Sequence, residues 1–294
     1  MLAAAPALRY GVAIMPLSLG TAFAPLAALL GLLVGSFLNV VIHRLPKMMH
    51  AQWAAQAAEF EGRTLPPQAP YNLWQPPSHC PACGARVAVL HNIPVLSYLL
   101  LRGRCAHCGL RISPRYPIVE ALTSALSFWV ALHFGFNVAG VSALVLTWFL
   151  IGLSFIDADT TLLPDSMTLP LLWLGLLLNI NATFTPLRDA VIGACCGYLS
   201  LWLVYWGFKL ATGREGMGYG DFKLLAAIGA WLGWKMLLPV VLLSSLAGAV
   251  LGMGLIVLAR RGRNIPIPFG PYLAIAGFLA SLYGAPIAER LGIG

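Results

Sequence analysis

Apolar residues run in stretches long enough to cross a bilayer, or nearly so, at 20–42, 116–135, 138–156, 166–181, 189–211, 221–235, 237–259 and 267–287. A helix needs ~20 such residues to span a hydrocarbon core of ~30 Å, and a lipid-exposed backbone must satisfy its own hydrogen bonds. The pattern therefore predicts an all-α polytopic membrane protein with about eight transmembrane helices. Composition agrees, because 59% of residues are hydrophobic and 10% charged, whereas a soluble domain carries about 25% charged residues. The span at 221–235 is short, with Pro239 marking its boundary, and Pro170 falls in the first turns of the fourth span, where proline costs least. The stretch 10–42 stays uncharged until His43-Arg44, too long for a signal peptide's apolar core, and reads as a retained first span.

One polar insertion breaks the pattern, from His43 to about Arg115. It holds Arg44, Lys47, Arg63, Arg86, Arg102, Arg104, Arg111 and Arg115, and a Pro-rich stretch at 64–81 suits an irregular module. Lys209, Arg214, Lys223, Arg260, Arg261 and Arg263 fall on the same side, leaving Arg9, Arg188, Lys235 and Arg290 opposite. The positive-inside rule then puts the insertion in the cytoplasm and both termini outside it. The apolar run 93–101 is too short to cross and is expected on the module or at the interface. Two spans separate the insertion from Asp157, and two more separate Asp165 from Asp221, so parity brings all three regions to one face. The resulting division is a first span at 1–43, a cysteine module at 44–115 and a membrane core at 116–294. The net charge of +8 is explained by loops facing anionic lipid. No Lys/Arg run with interleaved aromatics occurs, so nucleic-acid binding is set aside.

Within the insertion, Cys80-Pro81-Ala82-Cys83-Gly84 and Cys105-Ala106-His107-Cys108-Gly109 form two CxxC knuckles separated by 21 residues. Each glycine lets the turn tighten so that backbone amides point at sulfur. Four thiolates at this spacing match tetrahedral structural zinc. A redox pair would not explain the duplication, and disulfides do not persist in the cytoplasm. Such a closed site folds a module and does no chemistry itself. Cys195-Cys196 sit mid-span among small residues and read as ordinary helix packing.

Four of the ten acidic residues, Asp157, Asp159, Asp165 and Asp221, stand at the ends of apolar segments. Ionisable groups at membrane depth are costly, which makes them functional candidates. Gly218 and Gly220 precede Asp221, permitting unusual backbone angles and close approach by another chain, at the start of a helix whose dipole favours negative charge. Two carboxylates brought together can share one proton: one activates water while the other protonates a scissile carbonyl. Helix capping is the rival role for Asp165 and Asp221, and Asp159 can simply be solvated in a loop. Spacing alone does not say which of Asp157, Asp159 and Asp165 pairs with Asp221.

The segments Gly35-Ser36-Phe37-Leu38-Asn39-Val40-Val41-Ile42-His43-Arg44-Leu45-Pro46, Ile156-Asp157 with Leu163-Pro164-Asp165, Gly216-Met217-Gly218-Tyr219-Gly220-Asp221-Phe222-Lys223 and Ile267-Pro268-Phe269-Gly270-Pro271-Tyr272 resemble the type IV prepilin peptidases. The likeness covers nearly the full chain, in order, with the double CxxC in its expected loop. It implies an aspartic protease of the GxGD type, with Asp157 and Asp221 as the catalytic dyad and Cys80, Cys83, Cys105 and Cys108 as zinc ligands. It further implies a bacterial inner-membrane enzyme whose substrates are prepilins or pseudopilins, with the active site and zinc module on the cytoplasmic side. A short basic leader before an apolar helix, as the resemblance implies for the substrate, would remain on that side. The same resemblance implies N-methylation of the new amino terminus with S-adenosylmethionine as donor. It implies 44–115 as the methyltransferase region and 116–294 as the aspartic peptidase core, although no Gly-rich nucleotide motif in the insertion marks where the donor binds.

Other polar residues carry lesser expectations. Lys223 can tune Asp221 or snorkel to the interface; Glu120 can pair with Arg115 or Arg111, or meet the substrate amine. Asn39 can hydrogen-bond between helices. Two rivals stand beside the peptidase–methyltransferase reading: a cleavage-only enzyme, and a cation transporter that uses the intramembrane aspartates. The glycines beside Asp221 and the paired knuckles argue against the transporter.

Overall fold

The computed structural model describes residues 17–63, 66, 69–88, 92–214, 216–258 and 268–290. The architecture is all-helical: α1 (Leu17–Phe60), α2 (Leu96–Leu100), α3 (Arg115–Phe134), α4 (Val138–Thr160), α5 (Asp165–Asn179), α6 (Leu187–Thr212), α7 (Tyr219–Leu232), α8 (Leu237–Leu258) and α9 (Gly270–Arg290). Among the described residues the only β pairing is two isolated bridges, His79 with Arg86 and Arg104 with Arg111.

Eight of these helices coincide with the apolar stretches. Among the described residues, five segments are long and apolar enough to cross a membrane: Ala22–Phe60, Arg115–Phe134, Val138–Thr160, Leu187–Thr212 and Trp234–Leu251. The molecule is therefore a multi-pass membrane protein. By contrast α5, with 15 residues, and α7, with 14, rise only about 21–23 Å at 1.5 Å per residue.

α1 does not stop where its apolar stretch does. It passes Arg44 and Pro46 and runs on to Phe60, because 48–60 is rich in Ala, Met and Gln, all good helix formers. The polar insertion thus begins as a helix. The Pro-rich segment beyond it is irregular where described, and the short apolar run forms only α2, whose Leu96, Leu99 and Leu100 are exposed. Arg260, Arg261, Arg263 and Ile267, like Arg9, lie outside the described residues.

Small residues let the helices meet closely, as dispersion-driven packing in lipid requires. α1 lies along α3, where Ser124 donates its hydroxyl to the Ala28 carbonyl at 2.9 Å. The expected interhelical bond is also present: Asn39 Nδ2 donates to the Tyr116 carbonyl at 3.0 Å. α6 and α7 cross at Gly193 and Gly229, where a Cβ on either glycine would fall 2.3 Å from the other's carbonyl oxygen.

α7 is the axis of the core, and ten of its fourteen residues are buried, so it touches protein on every side. The end of α5 is tied to it by Asn179. That side chain donates to the carbonyls of Ala230 and Trp231 at 2.8 and 3.0 Å and accepts from Phe184 and Thr185 N–H. Trp231 Nε1 returns a bond to the Leu171 carbonyl at 2.8 Å. The outer faces reverse this pattern: Leu26, Leu29 and Leu33 of α1 and Leu203 and Val204 of α6 point outward, as lipid-facing residues do. Cys195 and Cys196 also lie exposed on α6, so they are not the buried packing residues the sequence suggests.

Candidate active site

α4 ends at Thr160 because Thr161 adopts a left-handed conformation, φ 54°, and its N–H closes on the Asp157 carbonyl at 2.8 Å. This leaves Asp157 in the last turn of α4, buried at 4% exposure. Its Oδ2 accepts the N–H of Gly270, the first residue of α9, at 2.9 Å. A Cβ there would lie 2.7 Å from that oxygen, so any larger residue must move the Asp157 carboxylate or the start of α9.

Asp221 stands in the first turn of α7 and is 7% exposed. It interacts electrostatically with Asp157, and its buried Oδ1 has no hydrogen-bond partner among the described residues. The structure thus brings together the two aspartates that come from the end of one buried helix and the start of another. One oxygen of the first is fixed by an amide, and one buried oxygen of the second has no protein partner among the described residues.

The two glycines before Asp221 act differently from each other. Gly218 has ordinary extended angles, φ −84° and ψ 150°, and Gly220 is helical, so neither uses glycine's wider conformational range. Gly220 instead provides close approach, since its Cβ would meet the Leu163 side chain at 2.7 Å.

Asp159 and Asp165 are drawn away to other partners. Asp159 is in the last turn of α4, not a loop, and takes the Arg115 guanidinium at 2.6 Å. Asp165 makes no cap hydrogen bond and binds Lys223 Nζ at 2.6 and 2.8 Å. Glu120 meets neither Arg115 nor Arg111; its Oε2 accepts the Val95 N–H at 2.7 Å.

The four cysteines also converge. Their sulfurs all lie within 4.8 Å of one another, close enough to hold a metal ion. Each knuckle closes alike: Cys80 N–H bonds Ala85 O at 2.9 Å and Cys105 N–H bonds Leu110 O at 2.8 Å, with Gly84 and Gly109 at φ 68° and 72°. Backbone N–H groups of Cys83 and Ala82 aimed at the sulfur hold the Cys80 thiol down to about 6. Those of Cys108 and His107 lower Cys105 in the same way. The first cysteine of each knuckle is thus held toward thiolate, the form that binds metal, whereas burial and the neighbouring Cys105, Cys80 and Cys83 sulfurs push the Cys108 thiol up to about 11. Arg44 joins this module to α1, donating to the carbonyls of Asn72 and Pro76 at 2.9 and 2.6 Å.

Fold and site define a class: a multi-pass helical membrane protein with a buried aspartate pair at facing helix ends and an appended four-cysteine centre. Comparison with known proteins narrows it. Residues 29–134 match the bacterial peptidase A24 N-terminal domain and residues 144–253 match the type IV leader peptidase family. Proteins named prepilin leader peptidase/N-methyltransferase from Pseudomonas aeruginosa and Aeromonas hydrophila are each 56% identical over 269 residues, covering 91% and 90% of this chain and 93% and 92% of theirs. A third, from Burkholderia pseudomallei, is 49% identical over 288 residues, 95% of this chain and 91% of its own. No solved structure matches the chain at a significant level. The chain belongs to the type IV prepilin leader peptidase/N-methyltransferase family.

Proposed function

We propose that the protein removes the basic leader from type IV prepilins or pseudopilins at the bacterial inner membrane, then N-methylates the residue so exposed. The observation that carries the peptidase half is the buried pair: Asp157 tied to Gly270 N–H, and Asp221 with a free buried oxygen beside it. In this reading the pair shares one proton. The ionised member takes a proton from water as it attacks the scissile carbonyl, and the protonated member donates to the carbonyl oxygen. The Gly270 amide keeps Asp157 from rotating away. The short α7 suits a cleft at the membrane edge, where the first turn of a substrate helix can unwind.

The cysteine centre fits zinc. A tetrahedral site with Zn–S bonds of about 2.3 Å needs sulfurs about 3.8 Å apart, and Cys80 and Cys108 Sγ are 3.8 Å apart. Cys80, Cys83, Cys105 and Cys108 would hold the ion, which supplies folding energy to the module and no chemistry to cleavage. S-adenosylmethionine is the methyl donor in this reading, supported by the relatives' names. We take the eight apolar helices as eight spans, α5 and α7 being short ones, with 1–43, 44–115 and 116–294 as first span, cysteine module and peptidase core. The charge bias of the loops then sets the module and the aspartates facing the cytoplasm.

The test is prepilin cleavage in detergent extracts. Asp157→Asn and Asp221→Asn should each lower the rate by on the order of 10⁴-fold, as loss of a cooperating catalytic group does. A wild-type rate in either variant rules the mechanism out.

A further inference from the structure

Between the cysteine module and the α1–α3 pair lies a cavity of about 540 Å³, within the roughly 300–1,000 Å³ range of small-molecule sites. Asn39, Tyr116 and Glu120 line its membrane-side wall, and Arg86, Tyr98 and Arg111 line the wall formed by the insertion. It is built from parts of the chain that the aspartate pair does not use.

Glu120 is its unusual member. The residue is 8% exposed, yet among the described residues its carboxylate receives only the Val95 N–H and the Ser36 hydroxyl. No Lys, Arg or His pairs with it among the described residues. A buried carboxylate without a counter-cation is costly, and its place on a cavity wall makes a cationic ligand the natural partner. The backbone holds it there under strain. Val95, a β-branched residue, sits at φ 60° in a tight turn closed by Leu96 N–H on Pro94 O at 2.6 Å, with its own N–H aimed at the carboxylate. Such strained residues recur at ligand clamps.

We infer that this cavity is the seat of S-adenosylmethionine, with Glu120 meeting the donor's cationic end; the inference rests on the methyltransferase reading above. The donor carries a sulfonium and an ammonium, a carboxylate and a purine. The cavity offers a carboxylate for the first two, the Arg86 and Arg111 guanidiniums for the third, and the Tyr98 and Tyr116 rings for the fourth. The step is a direct displacement. The neutral terminal amine of the cleaved pilin gives its lone pair to the methyl carbon, the carbon–sulfur bond breaks with its electrons staying on sulfur, and the methylated ammonium releases a proton. S-adenosylhomocysteine leaves.

The test uses the full-length, zinc-loaded protein in detergent and tritiated S-adenosylmethionine. Equilibrium dialysis should show Glu120→Gln, which can keep the Val95 hydrogen bond but loses the charge, binding at least ten-fold more weakly than wild type. Zinc content and gel-filtration profile report that the variant is folded. Ultraviolet cross-linking of the donor to wild-type protein should place the adduct within 36–44, 71–87 or 92–120, and this mapping decides alone if the variant does not fold. Unchanged binding by folded Glu120→Gln, or an adduct elsewhere, overturns the inference. Unchanged donor binding with a raised KM for the pilin amine also overturns it, making Glu120 the acceptor's seat instead. A wild-type protein that cleaves prepilin but neither binds nor uses the donor is a different failure, that of the methyltransferase reading itself.

Discussion

The aspartate pair and the cysteine centre are ordered by opposite means. Asp157 and Asp221 stand on helices buried along most of their length, in a core that includes Leu153, Ile156, Phe222 and Leu225, so packing fixes them before any ligand arrives. Of the four cysteines only Cys80 is buried, and the surrounding segment has no helix beyond α2 and no strand beyond two bridges among the described residues. Such a module buries too little apolar surface to offset the entropy of ordering itself. On the reading proposed above, one region is held by side-chain contacts and the other by a zinc ion on its four cysteines, and the two should fail independently.

Metal removal gives the largest effect on one side alone. Chelation, or Cys83→Ser with Cys108→Ser, should abolish zinc binding and open 63–112 to limited proteolysis, while the helices of the core remain intact by circular dichroism. Structural zinc contributes about 10–16 kcal/mol of apparent binding energy in small zinc peptides, so no partial phenotype is expected. The pH sense follows from the ligands. Metal-bound cysteines are thiolates and the metal-free ones regain protons, so binding is full at high pH and lost as pH falls. Release should therefore grow steadily as pH falls, measured as zinc retained after dialysis.

A strike at the core should leave zinc untouched. In Gly270→Ala the new methyl must displace either α9 or the Asp157 carboxylate, 2.7 Å away. A misplacement of about 1 Å at a reacting group costs on the order of 100-fold, so cleavage should fall about 10- to 100-fold at unchanged zinc content. If the variant cleaves at the wild-type rate, the amide does not position the aspartate.

How much of this was legible in the sequence divides along the same line. The helices were, because lipid demands long apolar runs and their lengths survive translation into structure. The cysteine centre was, because both knuckles are local and each carries its glycine. The far end of α1 was not: the change from apolar to charged residues at His43 marks where the lipid-like stretch ends, and a helix need not end there too. Partners distant in sequence were also hidden. Nothing local assigns the Gly270 amide to an aspartate 113 residues earlier, turns Glu120 from the arginines to a backbone N–H, or makes Asn179 the clamp between α5 and α7. The choice of Asp157 over its neighbours needed a family resemblance, and the geometry supplies a reason for it. Asp159 and Asp165 are already engaged by Arg115 and Lys223, and Asp157 alone of the three is buried.

That engagement sets the smallest predicted effect, and it tests whether the boundary between the two regimes is sharp. The Lys223–Asp165 pair is short, 2.6 Å, but the Asp165 side chain is 57% exposed, and exposed pairs contribute about 0.2–1 kcal/mol. As a stability element it is minor. Its place gives it more reach, because it joins α7, two residues beyond Asp221, to the start of α5, two residues beyond the Leu163 that packs on Gly220. The helix that carries Asp221 is thereby tied from the outside to the chain just beyond the helix that carries Asp157. Lys223→Met should change the melting midpoint little and slow cleavage by about two- to five-fold, less than 1 kcal/mol in the barrier. The double variant Lys223→Asp with Asp165→Lys restores the pair with its polarity reversed. Recovery of kcat in that double variant, with KM unchanged throughout, identifies a positioning tie. No recovery means that the lysine's charge acts on Asp221 directly, and the exposed rim then belongs to the buried site's electrostatics.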